Sequence, residues 1–514
     1  MELELELEET PLSGYEQVHE TTAVQEETME MIVPDACPDI LRIVDTEARA
    51  ELGSRESQEG RAEVSGTVRG GILYLPEGEG GPRKLELTIP FRCTVEHPAI
   101  HSGYRVVALP RVVGVETRSL NPRKVLTRVE VAVEAEIFAP NQRRAAGGAV
   151  CPPEEGVEQL RSEEGWYGPV CVTEKPFPFA DSVDLPSSRP AAEVLRHRLT
   201  SVCSESKVIG SKLIFKGTAA LHLLYRTADG QLCTADFELP ISQILEVPEA
   251  GEGCDPTVTV AVLTSSCTLE PGSEGRSVRV ELELLAQAVL RAQRPLTLLT
   301  DLYSTVWESE TEGEELPLEE LVDQGVRRET VRELLETGVE AGTVCDAWAT
   351  LGHVNQSREG KQLWLEVEVT AAVLFRTEEG ALESVSRHFT VRCPLDAPEG
   401  CLCSWRCELP EGVQASPAGG GLEVRFPVDY HFLTRRVRRP RVITAARLDQ
   451  EKPREREGQP SIVLRLAGRG ERLWDVAKHY ATTEGDICQA NELEGGHLPE
   501  GQLLLIPRKR RVEG

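Results

Sequence analysis

Alternating apolar and polar positions mark long stretches of this chain as β-strands. The clearest alternation covers residues 363–375, where apolar side chains take the odd positions and Glu366, Glu368 and Thr370 lie between them. Successive side chains of a strand point to opposite faces, so a period of two predicts a strand with one buried and one solvated face. Asp229-Gly230 separates two such runs and predicts a tight hairpin turn, which needs positive φ angles.

The strand patterns recur along the chain at a nearly constant spacing. Leu73, Leu224 and Leu374 each end a strand-like run, each precede an aromatic residue, and are 151 and 150 positions apart. A second landmark of alternating residues keeps the first offset and has a looser third member. Its members are residues 129–133, 280–284 and 422–426. Because two independent landmarks share one offset, we interpret the body of the chain as three copies of one unit.

Each copy is expected to be mainly β, a sandwich or a partly open barrel that includes a short helix. The helix is predicted over Pro38–Val44 in the first copy and over Pro190–Leu195 in the second. Proline suits the first turn of a helix, because its missing N–H has no partner there in any case.

The C-terminal residues follow a different pattern. Ile462–Leu466 predicts a strand, and apolar residues at helical spacing follow over 473–480. A Thr-x-x-acid motif at 483–486 is typical of the cap of a second helix, and Gly501–Pro507 predicts a closing strand. Residues 461–510 are therefore expected to form a small α+β domain of order β-α-α-β.

Composition divides the chain into predicted segments. The first thirty residues contain ten Glu and no Lys or Arg, which favours a solvated acidic leader, although Leu3, Leu5 and Leu7 alternate with Glu and allow an edge strand beside a partner. A basic run begins at Arg435 and favours a solvated linker, with docking on an acidic surface such as this chain's own body, or on an anionic membrane, as the alternatives. The segments are the leader 1–30, the first copy 31–145, a joint 146–182, the second copy 183–295, a joint 296–330, a divergent third copy 331–434, a charged linker 435–460 and the domain 461–510.

Charge and hydropathy exclude several classes of protein. The 514 residues contain 56 Lys plus Arg and 85 Asp plus Glu, a net charge of −29 at pH 7. A surface this acidic repels phosphate, so we expect no nucleic-acid partner. No run of about 18 uncharged apolar residues occurs, which predicts no transmembrane segment. The first residues lack the basic and apolar regions of a signal peptide, so a cytoplasmic location is expected.

Candidate metal-binding and catalytic residues are few. Cys393, Cys401, Cys403 and Cys407 lie close in sequence, but their spacing lacks the paired C-x2-4-C form of zinc sites. Free thiols are favoured there, and metal binding is left open. A phosphate-binding loop, a His-Glu-x-x-His motif and a Gly-x-Ser-x-Gly elbow do not occur in the sequence. We therefore predict a protein without enzymatic activity and without a cofactor.

The C-terminal domain resembles a LysM domain. The matching residues are the stretch 470–480, Ile487, Asn491, Leu493 and the segments 499–502 and 505–507. Glu471-Arg472 stands where glycan-binding LysM domains have Asp-Thr in the loop that touches N-acetylglucosamine polymers, and Glu500 interrupts the family's Pro-Gly-Gln motif. These departures bear on sugar binding more than on the fold.

The body resembles SPOCS repeats, in residues 34–40 with the strand that ends at Leu73-Tyr74, and in residues 301–305. SPOCS repeats followed by a LysM domain are similar to the SipL-type spore-coat morphogenetic proteins of clostridia. That resemblance implies a scaffold made in the mother cell, which helps the ATPase SpoIVA form the basement layer of the coat around the forespore. It also implies that the LysM domain binds a protein.

Two binding functions therefore stay open: an intracellular scaffold whose LysM domain captures a protein such as SpoIVA, and a cell-wall protein that binds peptidoglycan or a chitin-type glycan. In both cases the contact surface is expected in a shallow groove between the loop after the first strand and the loop after the second helix. The residues expected to line it are Gly470, Glu471, Arg472, Leu473, Asn491, Leu493 and Pro499.

Overall fold

The computed structural model of the chain is built mainly of antiparallel β-sheet, and it describes residues 2–78, 81–454, 460–493 and 501–508. Within these ranges, no helix combines the length and the apolar character that a membrane crossing requires. The predicted mainly β fold is confirmed.

The strands follow one another in three groups. The first group is β1 (Glu2–Glu4), β2 (Glu6–Pro11), β3 (Tyr15–Ile32), β4 (Ile40–Gln58), β5 (Arg61–Pro76), β6 (Arg83–Glu96), β7 (Arg105–Asn121), β8 (Lys124–Pro140) and β9 (Arg144–Val150). After a 3-10 turn at Pro153–Glu155 come β10 (Val157–Asp184), β11 (Ala191–Ile209), β12 (Lys212–Thr227), β13 (Leu232–Glu246), β14 (Asp255–Leu269) and β15 (Ser277–Ser304). The third group is β16 (Trp307–Glu315), β17 (Leu318–Glu336), β18 (Ala341–Glu359), β19 (Gln362–Thr377), β20 (Leu382–Asp396), β21 (Leu402–Glu408), β22 (Gln414–Ala418), β23 (Gly421–Arg438) and β24 (Arg441–Pro453).

Each copy consists of two open sheets that share a hydrophobic core. The first copy pairs its strands in the orders β3-β8-β7 and β4-β5-β6, and the second in the orders β10-β15-β14 and β11-β12-β13. The third has β17-β23-β21, with β22 also on β23, and β18-β19-β20. Buried residues from both sheets of a copy pack into one cluster. No sheet in the described part of the chain closes into a barrel, and sandwich packing stays a prediction.

The hairpin predicted at Asp229-Gly230 is confirmed. Gly230 lies between β12 and β13 with φ at 84°, and its N–H donates to the carbonyl of Thr227 over 3.0 Å. A side chain at this φ would be strained, so glycine suits the turn.

The repeated leucine and aromatic landmarks serve two different interfaces. Leu73, Leu224 and Leu374 are buried together in a cluster shared by all three copies. The aromatic residues that follow them are fully buried in clusters within their own copies. Because neighbouring strand residues point to opposite faces, one residue of each pair joins the copies and the next fills a core.

Charged side chains meet at the same place between the copies. They are Asp45 and Glu47 of the first copy, Arg196 and Arg198 of the second, and Asp346 of the third. Together with Trp348 of the third copy, whose ring contacts the arginines, we call them the junction cluster. They occupy two equivalent positions of the repeat, since the offsets are again 151 and 150 residues. The second copy thus places cations where the first places carboxylates, and the copies attract one another at this point.

The geometry of the junction cluster is that of a buried ion-pair network. Arg196 donates to Asp45 over 2.8 Å, and Arg198 donates to both oxygens of Asp346 over 2.5 and 2.9 Å. Both guanidinium groups lie over the ring of Trp348, 5.0 and 5.2 Å from its centroid. Arg196 is only 7% exposed, so its charge depends on these partners rather than on water.

Asp346 carries its charge inside this network. Burial by itself would raise the pKa of Asp346, but the charge of Arg198 and hydrogen bonds from His222 and Arg198 outweigh it and hold the pKa well below its usual range. The carboxylate therefore stays ionised although its side chain is fully buried.

The two helices predicted at the start of the copies are wrong. Pro38–Val44 leads into β4, which begins at Ile40, and Pro190–Leu195 leads into β11, which begins at Ala191. The stretch before β4 is a loop held by Arg123, whose guanidinium donates to the carbonyls of Val33, Pro34 and Cys37. Proline opens a strand here, a position in which its missing N–H is also tolerated.

The solvated acidic leader is also wrong. Residues 15–32 form β3, the edge strand that pairs with β8 over its whole length, and Leu5 and Leu12 are buried. Leu3, Leu5 and Leu7, which alternate with Glu, lie in or between β1 and β2, and these strands pair with β24 and β9 as the edge-strand alternative allowed. The paired residues of β3 and β8 lie 92 to 125 positions apart in sequence, which is why local composition suggested a free tail.

The predicted joints 146–182 and 296–330 and the charged linker 435–460 consist mainly of strands in the residues that the structure describes. β2 pairs with β9, the first half of β10 pairs with the end of β15, and β1 and β16 both pair with β24. Their apolar residues form a further core, which we call the arm core. It consists of Leu5, Leu12, Ala145, Ala146, Ala149, Trp166, Leu296, Leu298, Leu299, Leu302, Leu316, Leu318, Val442, Ile443, Ala446 and Leu448.

The four clustered cysteines divide into two groups. Cys393 and Cys407 are buried in the core of the third copy, and Cys401 and Cys403 are half-buried. Burial raises the pKa of Cys393 to about 11 and that of Cys407 further still, so both are protonated thiols at neutral pH. Among the described residues, no group of three or more His, Cys, Asp or Glu side chains is arranged to hold a metal ion.

Replacing Asp346 with Asn tests the junction cluster. The change removes the carboxylate charge closest to Arg198 and leaves Glu47, at 3.2 Å, as its remaining counter-charge. The free energy of unfolding should therefore fall by about 1–3 kcal/mol in urea denaturation, because a buried charged group loses its best partner. The control is Asp236→Asn, which also removes a carboxylate beside His222 but one that is 79% exposed. Equal loss in the two variants would show that the buried network does not hold the copies together.

His197 predicts a pH dependence. It lies in a pocket of about 190 Å³ between the first two copies, where burial, Arg49 and Lys84 lower its pKa to about 3. Unfolding restores a pKa near 6.5, so the unfolded chain binds the proton first and stability should fall as the pH drops from 6.5 towards 3. His197→Asn should reduce the slope of the unfolding free energy against pH by the equivalent of up to about one proton per molecule. Urea denaturation across that pH range measures the slope. A slope in the His197→Asn variant equal to that of the wild type would contradict this assignment.

Candidate functional site

The C-terminal residues form the predicted β-α-α-β unit. Its elements are β25 (Ile462–Leu466), α1 (Leu473–Tyr480), α2 (Glu484–Asn491) and β26 (Leu503–Pro507), and the two strands pair antiparallel. The predicted cap is confirmed, because the hydroxyl of Thr483 accepts from the backbone N–H of Asp486 over 3.0 Å. Buried residues from both helices and β26 build the core of this domain, and the half-buried Val463 of β25 packs against them.

The first loop of the predicted groove is exposed, but Glu471 and Arg472 in it are paired with other residues of the domain. Gly470 has φ at 70° and leaves room for the turn. Glu471 binds Arg465 over 2.5 Å and accepts from the N–H of Gly468. Arg472 donates two hydrogen bonds to Asp475 over 2.7 and 2.8 Å. The two charged residues predicted to line the groove, Glu471 and Arg472, therefore already have partners inside the domain.

The remaining predicted groove residues lie deeper. Leu473 is buried in the core, and Leu493 packs against it. The side-chain amide of Asn491 donates to the carbonyls of Ile487 and Leu505 and accepts from the N–H of Leu505, over 2.6–2.7 Å. It thus joins α2 to β26. Pro499 lies outside the described residues. The predicted set is therefore one exposed loop followed by residues that hold the domain together.

An apolar surface that sequence reasoning missed covers the outer face of the two-stranded sheet. Ile462, Leu464 and Leu466 on β25 and Leu503 on β26 are 54%, 63%, 65% and 56% exposed. The pairing of Leu464 with Leu505 and of Leu466 with Leu503 makes this surface continuous. We call these four residues the outer sheet face. The sequence signal that could have revealed this surface is that β25 has apolar residues on both of its faces.

The opposite side of the domain contacts the body. Asp301 near the end of β15 accepts a hydrogen bond from the indole N–H of Trp474 over 2.8 Å and an ion pair from Lys478 over 2.7 Å. Tyr303 donates to the carbonyl of Thr482 over 2.7 Å. We call Asp301 and Tyr303 with these three partners the docking contact. It places the domain beside the arm core.

Tyr303 completes the core of the C-terminal domain although it belongs to the body. Its ring lies edge-on to the ring of Trp474, with the centroids 4.8 Å apart, and it is fully buried. Burial raises the pKa of its hydroxyl above the usual range, so Tyr303 stays a hydrogen-bond donor at physiological pH.

A cavity of about 750 Å³ lies where the three copies meet. Two arginines of its lining have carboxylate partners: Arg291 contacts Glu136, and Arg406 contacts Glu408. Tyr167 donates to Asp255 across the same space. We assign no cofactor to this cavity.

Known protein families match both parts of this architecture. A model described as SipL, SPOCS domain, matches residues 39–118 and 190–270, the first and second copies. A LysM domain model matches residues 468–507. The chain has the SipL-type architecture. No curated protein matches it.

The SipL and LysM matches confirm the resemblance read from the sequence. They indicate a sporulation protein with a module of a glycan-binding type, and neither family is catalytic. The SPOCS matches end at residue 270, whereas the structure repeats the two-sheet arrangement in the third copy. The SipL-type body thus contains a third unit of the same build.

Trp474→Ala should unfold the LysM domain. The indole fills the core and meets Tyr303, so its loss should cost the domain about 3–5 kcal/mol. Hydrogen exchange of the α1 amides in the full chain measures this. Arg472→Ala is the control, because Arg472 is exposed and contacts only its neighbour Asp475 among the described partners. Comparable exchange in both variants would contradict a core role for Trp474.

Proposed function

We propose that this protein is a non-enzymatic scaffold of endospore coat assembly. In this proposal it works in the cytoplasm of the mother cell, at the outer surface of the forespore, and its LysM domain binds the morphogenetic ATPase SpoIVA. The SipL-type architecture supports the proposal. Other coat proteins are further partners of the same kind.

The outer sheet face is the observation that carries the proposal. Four aliphatic side chains that are more than half exposed form one continuous patch. Exposed apolar patches mark surfaces that another protein covers, because covering them removes apolar area from water. A sugar polymer presents hydroxyl and amide groups, which need polar partners, and this face offers none on its side chains.

The state of the predicted groove supports the same conclusion. The polar groups of Glu471, Arg472 and Asn491 form hydrogen bonds with partners within the domain. A glycan would have to displace these contacts, and each displaced charged group would cost free energy. The LysM match keeps glycan binding as the alternative function, which the same experiment tests.

The body supports a scaffold because its three copies are joined through buried contacts. The junction cluster and the shared leucine cluster hold the copies in one arrangement. A rigid body presents its surfaces at fixed distances, which suits a protein that brings other proteins together.

Leu464→Asp tests the outer sheet face. A charge in the middle of the patch should weaken the binding of purified SpoIVA by at least about tenfold, because a covered carboxylate without a partner is costly. Surface-immobilised full chain and SpoIVA in solution provide the measurement. Ile209→Asp, at a 51% exposed aliphatic residue of the body, is the matched control and should bind normally.

The same preparations separate the two functions. The wild-type chain should bind SpoIVA and should not be retained by insoluble peptidoglycan. Strong retention on peptidoglycan, together with no binding of SpoIVA, would overturn the scaffold proposal in favour of the cell-wall function.

A further inference from the structure

We propose that the end of β15 is a docking surface for the protein's own LysM domain, which holds the domain in one orientation on the body. This surface lies on a different side of the domain from the outer sheet face. The inference concerns contacts within the chain and does not depend on the identity of any partner.

Alternate residues at the end of β15 serve two sides of the strand. Leu298 and Leu302 face the arm core, where they are fully buried. Asp301 and Tyr303 face the LysM domain. Because the strand is anchored by its leucines, the carboxylate and the phenol are presented in a fixed geometry. The docking surface is therefore built before the domain arrives.

One carboxylate recognises two residues of α1. Trp474 and Lys478 are four positions apart, so they lie on the same face of the helix one turn apart. Oδ2 of Asp301 accepts from the indole N–H over 2.8 Å, and both of its oxygens lie within 2.8 Å of the Lys478 ammonium. The pair is partly buried, with the side chains 36% and 22% exposed. A Trp-x-x-x-Lys face is thus the feature that this surface fits.

Tyr303 adds a second anchor, which reaches the other end of α1. Its hydroxyl donates to the carbonyl of Thr482, just beyond the helix, and its ring packs on Trp474. Leu160, on the strand paired with β15, packs against the same cluster. The LysM core is complete only when the domain is docked, which couples its stability to the body.

The chain enters the LysM domain beside the docking surface. The N–H of Arg454 donates to the carbonyl of Val306, and its guanidinium donates to the carbonyl of Lys478 over 2.9 Å. The short connection keeps the effective concentration of the domain at this surface high. A ligand that needs the Trp474 and Lys478 face would compete with the body, whereas the outer sheet face stays open.

Cleavage of the connection tests the proposal in the full chain. A specific protease site is inserted within residues 455–459, which lie outside the described residues, and the cleaved protein is passed over a gel-filtration column. The two wild-type fragments should elute together. Asp301→Asn removes the negative charge that pairs with Lys478, and Tyr303→Phe removes the hydroxyl that donates to Thr482. Each change should raise the dissociation constant of the fragments by about tenfold or more.

Glu283→Gln is the matched control, since it also removes one carboxylate from β15 but at an exposed position away from the docking contact. Its fragments should stay together as in the wild type. Separation of the wild-type fragments, or equal effects of Asp301→Asn and Glu283→Gln, would overturn the proposal. Circular dichroism of the released fragment distinguishes undocking from unfolding. SpoIVA is absent throughout, so failure here is distinct from failure of the scaffold function.

Discussion

The assembly of the three copies depends on the burial of two arginines between carboxylates of other copies. Arg196 and Arg198 belong to the second copy, and their counter-charges, Asp45, Glu47 and Asp346, come from the first and third. A buried guanidinium without a partner costs several kcal/mol, so the second copy is stable only with both neighbours in place. The repeat made this possible by diverging in charge at two equivalent positions while keeping its apolar landmarks.

The arm core extends this constraint to the parts of the chain between the copies. Leu5 and Leu12 from the N-terminal strands, Leu298 from the second copy and Ile443 from β24 are buried together. The segments that enter and leave each copy therefore meet in one place, and the end of β15 lies at its edge. The LysM domain attaches there through Asp301 and Tyr303. Its position on the body thus follows from how the connecting strands pack.

Sequence reasoning succeeded where the signal is local. The alternation around Leu374, the offset between copies and the cap at Thr483 each predict a feature of the structure, because strand periodicity and capping act over a few residues. It failed where a partner lies far away in sequence. β3 has the composition of a solvated tail, and only the pairing of its edge with the distant β8 shows it to be a strand. Pro38 fits the first turn of a helix and the start of a strand equally well, so its position alone could not decide between them.

The candidate site shows the same division. The loop at Gly470 was predicted from its motif, whereas the role of Asn491 as an internal clamp depends on the carbonyl of Leu505, which only the folded domain brings near. The two large sides of the LysM domain also differ in a way that spacing alone does not reveal. On one side Trp474 and Lys478 bind Asp301 of the body, and the other side carries aliphatic residues that nothing in the described chain covers. A domain held by one side and apolar on the other presents its free side to a partner at a fixed orientation. Fixed presentation lowers the entropy lost on binding, and this advantage is what a scaffold gains by anchoring its binding domain rather than leaving it on a tether.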